Sequence, residues 1–145
     1  MLRGSHPATV DEKGRLKIPA AFLAELRETG ETFYVTSDSG DNVWIYPMSA
    51  WGQIEERLAK IPSSNPARQK FLTRTSYFGQ VVSADKQGRI LIPALLREAA
   101  QMKGEVIVLG SQNHVRVWNH GRLQDVMKAA PITDEDIKSL SDLGI

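Results

Sequence analysis

The sequence predicts an α+β protein made by duplicating one unit, in which short strands follow a tight turn and amphipathic helices connect them. Three observations carry this. The segment Asp11-Glu12-Lys13-Gly14-Arg15-Leu16-Lys17-Ile18-Pro19-Ala20 returns as Asp85-Lys86-Gln87-Gly88-Arg89-Ile90-Leu91-Ile92-Pro93-Ala94 at a constant offset of 74 residues. After Gly14, Arg15, Leu16, Lys17 and Ile18 alternate polar and apolar, which is the period of a half-buried strand. Stripes such as Trp51, Ile54 and Leu58 mark one face of a helix.

Each copy has the same local physics. Asp at the first and Gly at the fourth position favour a type I turn, because Asp accepts from nearby backbone N–H groups and Gly tolerates the exit geometry. Leu16 and Ile18 then face inward, with Arg15 and Lys17 outward; in the second copy Ile90 and Ile92 face in, while Arg89 faces out beside Leu91. Both Arg residues therefore sit at a strand start and point away from the core.

Pro19 suits the first position of a helix over Ala20 to Arg27, with Phe22, Leu23 and Leu26 on its apolar face and Gly30 as its stop. Glu31 to Val35 and Val43 to Tyr46 read as strands around a turn-rich loop, 37–42. Pro47 to Lys60 is a helix with Ser49 as N-cap, and the Pro- and Ser-rich run 61–66 interrupts it. A further helix from Pro66 to Phe78, capped by Ser64 or Asn65, carries Ala67, Phe71, Thr75 and Phe78 inward; Lys70 and Arg74 share another face.

The second half repeats the plan. Val81 and Val82 lead into the turn, Pro93 to Gln101 is the short helix, and Gly104 takes the place of the Gly30 stop. Glu105 to Leu109 parallels Glu31 to Val35 at the same offset. A shorter loop, Gly110-Ser111-Gln112-Asn113, then brings Val115, Val117 and Trp118 onto Val43, Ile45 and Tyr46 at an offset of 72. Leu123 and Val126 replace Trp51 and Ile54, and Thr133 caps a last helix with Asp134, Glu135 and Asp136 in its first turn. The expected division is 1–62 for the first repeat with its helix, 63–80 for a connecting helix, 81–130 for the second repeat and 131–145 for a C-terminal helix or tail. The two repeats are expected to form one compact domain.

At 145 residues, with 41% hydrophobic and 24% charged residues, the chain has the size and composition of a soluble globular domain. No apolar run approaches the roughly 18 residues of a membrane span, and the N-terminus lacks the apolar core of a signal peptide, so a cytoplasmic location is expected. The absence of Cys excludes disulfides, Cys-ligated zinc and thiol nucleophiles.

The net charge of +1 is unevenly spread: residues 63–90 carry five cations against Asp85 alone, whereas 131–145 carry four carboxylates against Lys138. The basic excess coincides with the repeated turns, which points to a polyanion partner. His6, His114 and His120 are scattered and expected at the surface. No nucleophile elbow, phosphate-binding Gly loop or acidic metal cluster is present. Neither catalytic residues, nor a metal, nor a cofactor, nor a small-molecule substrate is expected.

Met1-Leu2-Arg3-Gly4, the doubled Asp-x-x-Gly-Arg with its following Ile-Pro, Ile45-Tyr46-Pro47 with Trp51 beyond it, and Gln87-Gly88-Arg89-Ile90 together resemble the MraZ family over nearly the whole chain. These are bacterial transcriptional regulators related to the AbrB-like DNA-binding proteins. Two departures are Leu2, where a Phe is usual, and Asn119-His120-Gly121, which replaces the Pro47-Met48-Ser49 of the first half. The resemblance implies a duplicated, swapped-hairpin β-barrel with flanking helices, in which the two halves of one chain take the parts of two AbrB-like subunits about a pseudo-two-fold. It also implies a homo-oligomeric ring such as an octamer, located at the nucleoid. That ring would bind short direct repeats of double-stranded DNA in the promoter of the cell-division and cell-wall gene cluster, its own gene included.

On this reading Arg15 and Arg89 contact DNA directly, oriented by Asp11, Gly14, Asp85 and Gly88. Lys13 and Lys86 in the turns, with Arg3 and Lys17 near the first of them, contact phosphates. The competing role for each Arg is an ion pair closing its turn onto Asp11 or Asp85; even so, a guanidinium held by one edge keeps N–H groups for phosphate or guanine. Arg68, Lys70 and Arg74 read as a solvated helix face or a subunit contact. Because Leu91 replaces Lys17, the halves offer unlike surfaces, and Arg15 is expected to matter more than Arg89. Two other classes remain: a protein-interaction module of the antitoxin type, and an enzyme gripping a phosphorylated substrate with the Arg turns. Specific DNA binding without turnover separates these from the first.

Overall fold

The computed structural model describes residues 1–145. The strands are β1 (Ser5–Val10), β2 (Arg15–Lys17), β3 (Thr32–Thr36), β4 (Val43–Pro47), β5 (Gln80–Ser83), β6 (Arg89–Leu91), β7 (Gly104–Ser111) and β8 (His114–Asn119). The helices are α1 (Ala20–Leu26), α2 (Met48–Ala59), α3 (Pro66–Tyr77), α4 (Ala94–Ala99), α5 (His120–Ala129) and α6 (Asp134–Asp142). No helix is long and apolar enough to cross a membrane.

All eight strands form one antiparallel sheet in the order β5-β3-β4-β8-β7-β1-β2-β6. Its two end strands, β5 and β6, are joined by the second Asp–Gly turn, so the sheet curls into a nearly closed barrel. Strands are exchanged between the halves: β1 runs along β7 from Ser5↔Leu109 to Val10↔Gly104, and β5 runs along β3 from Thr32↔Ser83 to Val35↔Gln80. The pseudo-two-fold passes through two pairs of equivalent strands. On β2–β6 its centre is Leu16↔Ile90, and on β4–β8 it is Trp44↔Arg116. The duplicated swapped-hairpin barrel implied by the family resemblance is the observed fold.

Side-chain alternation fills the barrel. Leu16, Ile18, Phe33, Val35, Val43, Ile45, Ile90, Ile92, Val106, Val108, Val115 and Val117 are all inward and buried, joined by Phe22, Leu23 and Leu26 of α1. The alternation expected at both turns is therefore realised. β4 is buried on both faces, because its outward Trp44 and Tyr46 pack with Trp51 of α2 and Phe71 of α3. The Thr75 carbonyl of α3 accepts from Thr36 Oγ1 at 2.7 Å and Tyr34 Oη at 3.0 Å, locking that helix to β3.

Several expectations are corrected. β1 has no alternating signature, since Ser-His-Pro-Ala-Thr-Val is mostly exposed; its strand is imposed by β7. Pro19 and Pro93 occupy the N-cap, one residue before the helix, rather than its first position. Ser49 does not cap α2: its hydroxyl meets Thr29 Oγ1 at 2.7 Å, while Asn65 does cap α3 by accepting from Arg68 N. Gly104 begins β7 instead of ending α4, which is one residue shorter than α1 and is left through Gln101 at φ 55°. The offset between β3 and β7 is consequently 73, matching Phe33 with Val106 rather than Ile107. The loop between β7 and β8 is only Gln112-Asn113. Ala67 is exposed, and so is Val126; α5 buries no residue, unlike α2 with Trp51. The cap at Thr133 is as expected, and Asp136 completes it as a capping box.

His114 is buried, contrary to the surface position expected for it. Its ring stacks on Tyr46 at 4.0 Å; Nε2 accepts from Arg116 Nε at 3.2 Å, so Nδ1–H donates to Asn113 Oδ1 at 2.9 Å. Burial first, and the Arg116 charge second, push its pKa from 6.5 down to about 4. Between those values an unfolded chain takes up a proton that the folded chain refuses. Stability should therefore fall as pH drops from 6.5 towards 4. Denaturant midpoints across this range should flatten in His114→Gln.

Candidate nucleic-acid interface

The two turns are built alike. Gly14 N donates to the Asp11 carbonyl at 2.9 Å, and Asp11 N to the Arg15 carbonyl at 2.9 Å; Gly88, Asp85 and Arg89 repeat this at 3.0 and 2.9 Å. Asp11 Oδ1 accepts from the N–H groups of Lys13 and Arg15, each at 2.9 Å, and Asp85 Oδ1 from those of Gln87 and Arg89, each at 2.9 Å. The second carboxylate oxygen takes the guanidinium: Arg15 Nε at 2.9 Å on Asp11 Oδ2, and Arg89 Nε at 2.8 Å on Asp85 Oδ2. The Arg15 and Arg89 backbone N–H bonds, more than the guanidinium groups, hold both carboxyls below their ordinary range.

The ion pairs weighed in the sequence thus exist, and each uses Nε. The four N–H donors on Nη1 and Nη2 of each Arg make no hydrogen bond within the chain. Arg89 is further restrained, since its Nη1 also lies 3.9 Å from Asp11 Oδ2, whereas Arg15 bonds Asp11 alone.

β2 and β6 lie side by side, with Arg15 opposite Leu91 and Lys17 opposite Arg89. Ile92 N donates to the Gly14 carbonyl at 3.0 Å and Ile18 N to the Gly88 carbonyl at 3.1 Å. Those bonds belong to alternate pairs, so Arg15/Leu91 and Lys17/Arg89 are the closely approaching, non-hydrogen-bonded pairs. A two-stranded ribbon therefore presents three cations and one apolar side chain on its outer face. Lys13 and Lys86 are exposed in the flanking turns. Arg3 stands apart, because the extended chain from Leu2, bridged to Gln112, to Val10 carries it to the far end of β1, about 25 Å along the strand from the turn. Lys70 and Arg74 are exposed on α3, while Arg68 Nε donates to the Leu58 carbonyl at 2.9 Å and ties α3 to α2.

Arg97 is a participant the sequence does not announce. From α4 its Nη1 donates to the Ile92 carbonyl at 3.1 Å and the Lys13 carbonyl at 3.5 Å, strapping the first turn from behind. Leu23 holds the equivalent place behind Gly88 in the other half, so one turn is strapped by a cation and the other is packed by hydrocarbon. The only sequence signal was the mismatch of Leu23 with Arg97 at the repeat offset. Gly14 has φ +81°, and a Cβ there would land on the Arg97 guanidinium. Gly14→Ala should cost about 1–3 kcal/mol of stability from backbone strain, read from the denaturant midpoint.

The chain matches, over residues 1–74 and 80–136, the model of the family described as "MraZ protein, putative antitoxin-like". A protein of Koribacter versatilis named "Transcriptional regulator MraZ" is 51% identical over 147 residues, covering the whole of both chains. One of the same name from Acidobacterium capsulatum is 47% identical over 146 residues, again over the whole of both. A third, from Caldanaerobacter subterraneus, is 37% identical over 138 residues, 94% of each chain.

Proposed function

The chain belongs to the MraZ family, and we propose that it is a non-enzymatic, sequence-specific DNA-binding transcriptional regulator. The observation that carries this is the β2–β6 ribbon, on which Arg15, Lys17 and Arg89 converge with both guanidinium groups already aimed by carboxylates. A two-stranded ribbon fits the major groove, where Arg can hold guanine O6 and N7 with two parallel bonds. Lys13, Lys86 and Lys17 fix the register on phosphates. Arg3 meets phosphates well away from the ribbon, at the far end of β1.

The proposed target is a set of short direct repeats in the promoter of the division and cell-wall gene cluster, upstream of the protein's own gene. Each chain supplies one small ribbon, so affinity comes from several linked copies acting at high effective concentration. A homo-oligomeric ring in the cytoplasm, associated with the nucleoid, provides them. In a cyclic ring, neighbours repeat in the same direction, which suits direct rather than inverted repeats. Apolar surface left uncovered within one chain supports self-association: Val126 and Met127 of α5, Ile137 and Leu140 of α6, and the terminal Leu143 and Ile145 are exposed.

A gel-shift at physiological salt tests the proposal, with the upstream region of the protein's own gene beside a scrambled duplex of equal length. The proposal expects retardation of the first at concentrations that leave the second free. Equal retardation of both overturns sequence-specific recognition, and no retardation of either moves the function to the protein-interaction module.

A further inference from the structure

The outer face of the ribbon holds one residue that electrostatics does not explain. Leu91 is 50% exposed, takes no part in the core, and stands among Arg15, Lys17 and Arg89. A single exposed Leu is ordinary on any protein surface. Its position is not ordinary: it is the pseudo-two-fold mate of Lys17, so the fold tolerates a cation at this place and gains nothing from the Leu in its interior.

We propose that Leu91 is a specificity-determining residue that reads the C5-methyl group of a thymine beside the guanine held by Arg15. This rests on the DNA-binding reading above. Leu91 and Arg15 form a closely approaching cross-strand pair, which puts their Cβ atoms about 4.5–5.5 Å apart. Successive bases on a strand are about 3.4 Å apart, so two such side chains meet bases one or two steps from each other. The thymine methyl is the apolar group that the major-groove edges offer, and a branched aliphatic side chain is its natural partner. At the other end of the ribbon Lys17 faces Arg89, and no apolar group is available there.

The consequence is polarity. A ribbon with Arg15 and Arg89 related by a two-fold would accept a box in either orientation. The exchange of Lys17 for Leu91 makes one end a guanine-and-methyl reader and the other a doubly cationic clamp. Each box then has a preferred direction, as direct repeats require.

The test uses the full-length protein and the upstream duplex in two forms, one natural and one with every thymine replaced by deoxyuridine, which removes only the methyl groups. Wild-type protein should bind the deoxyuridine duplex about three- to fourfold more weakly per box, the effect of one buried methyl-sized group. Leu91→Ala should bind natural DNA more weakly by a similar factor and should not distinguish the two duplexes. Leu91→Lys, which copies its pseudo-symmetric mate, should bind both equally and with a steeper salt dependence. Wild-type indifference to the methyl groups overturns the assignment, as does a folded Leu91→Ala that keeps the full difference. Failure of wild-type protein to prefer the natural upstream duplex over a scrambled one is a different outcome: it overturns the DNA-binding reading and this inference with it.

Discussion

Arg15→Ala is expected to weaken binding to the upstream repeats by about 1–3 kcal/mol per box and to flatten the preference among sequences. The expectation follows from how each guanidinium is held. Arg15 bonds one carboxylate through Nε, which leaves its four Nη donors in a fixed plane for a bidentate contact. Arg89 leans on two carboxylates, Asp85 and Asp11, and is less free to meet a base. Arg89→Ala should therefore cost less. On the proposed multivalent binding to several boxes, the loss should compound along the promoter. Lys13→Ala is the contrast: it should weaken all sequences alike and lower the salt slope by about one. Circular dichroism and a denaturant midpoint accompany these measurements. If Arg15→Ala unfolds the protein, closing the turn is the main role of that ion pair; if a folded Arg15→Ala binds normally, the contact is misassigned.

Leu16→Ala is expected to cost about 2–5 kcal/mol of stability. Leu16 is fully buried and faces Ile90 at the centre of the pseudo-two-fold, so its side chain is shared by both halves of the barrel. The cavity would open directly beneath the β2–β6 ribbon. Against a total stability of about 5–15 kcal/mol, such a loss removes much of the margin. DNA binding should fall with the folded fraction, and added promoter should raise the unfolding midpoint again by mass action. A change below about 1 kcal/mol would contradict the packing described here.

What could be read from the chain was whatever is local. Asp11 to Ile18 encodes its own turn and strand, because the carboxylate, the Gly and the alternation act within eight residues. The stripe of Phe22, Leu23 and Leu26 and the Thr133 cap are local in the same sense. The features that escaped depend on distant partners or on unusual backbone. β1 is a strand because β7, about a hundred residues away, pairs with it. The one-residue slip between β3 and β7 lies at Gln101, and the two-residue hairpin bends at Gln112 with φ 69°, conformations usually signalled by Gly or Asn. His114 gives no sign of burial, since Tyr46 reaches it only after β4 and β8 pair.

The candidate site divides along the same line. The two Arg turns announced themselves by repetition, and the exchange of Lys17 for Leu91 was visible as a break in that repetition. Their convergence into one ribbon required the β2–β6 register, and the strap from Arg97 to Lys13 spans 84 residues. Arg3 was grouped with the first turn by nearness in sequence, yet an extended strand separates neighbours in sequence faster than any other element.

On the proposed function, the ribbon reads bases through Arg15 and Arg89 rather than merely attracting polyanions. The most direct test is the ratio of affinities for the upstream repeats and a scrambled duplex, measured at physiological salt for the wild type and for the Arg15→Ala/Arg89→Ala variant. The wild type should strongly prefer the repeats. The double variant should remain folded and bind both duplexes weakly, with a ratio close to one. A folded double variant that keeps the wild-type ratio would contradict the account.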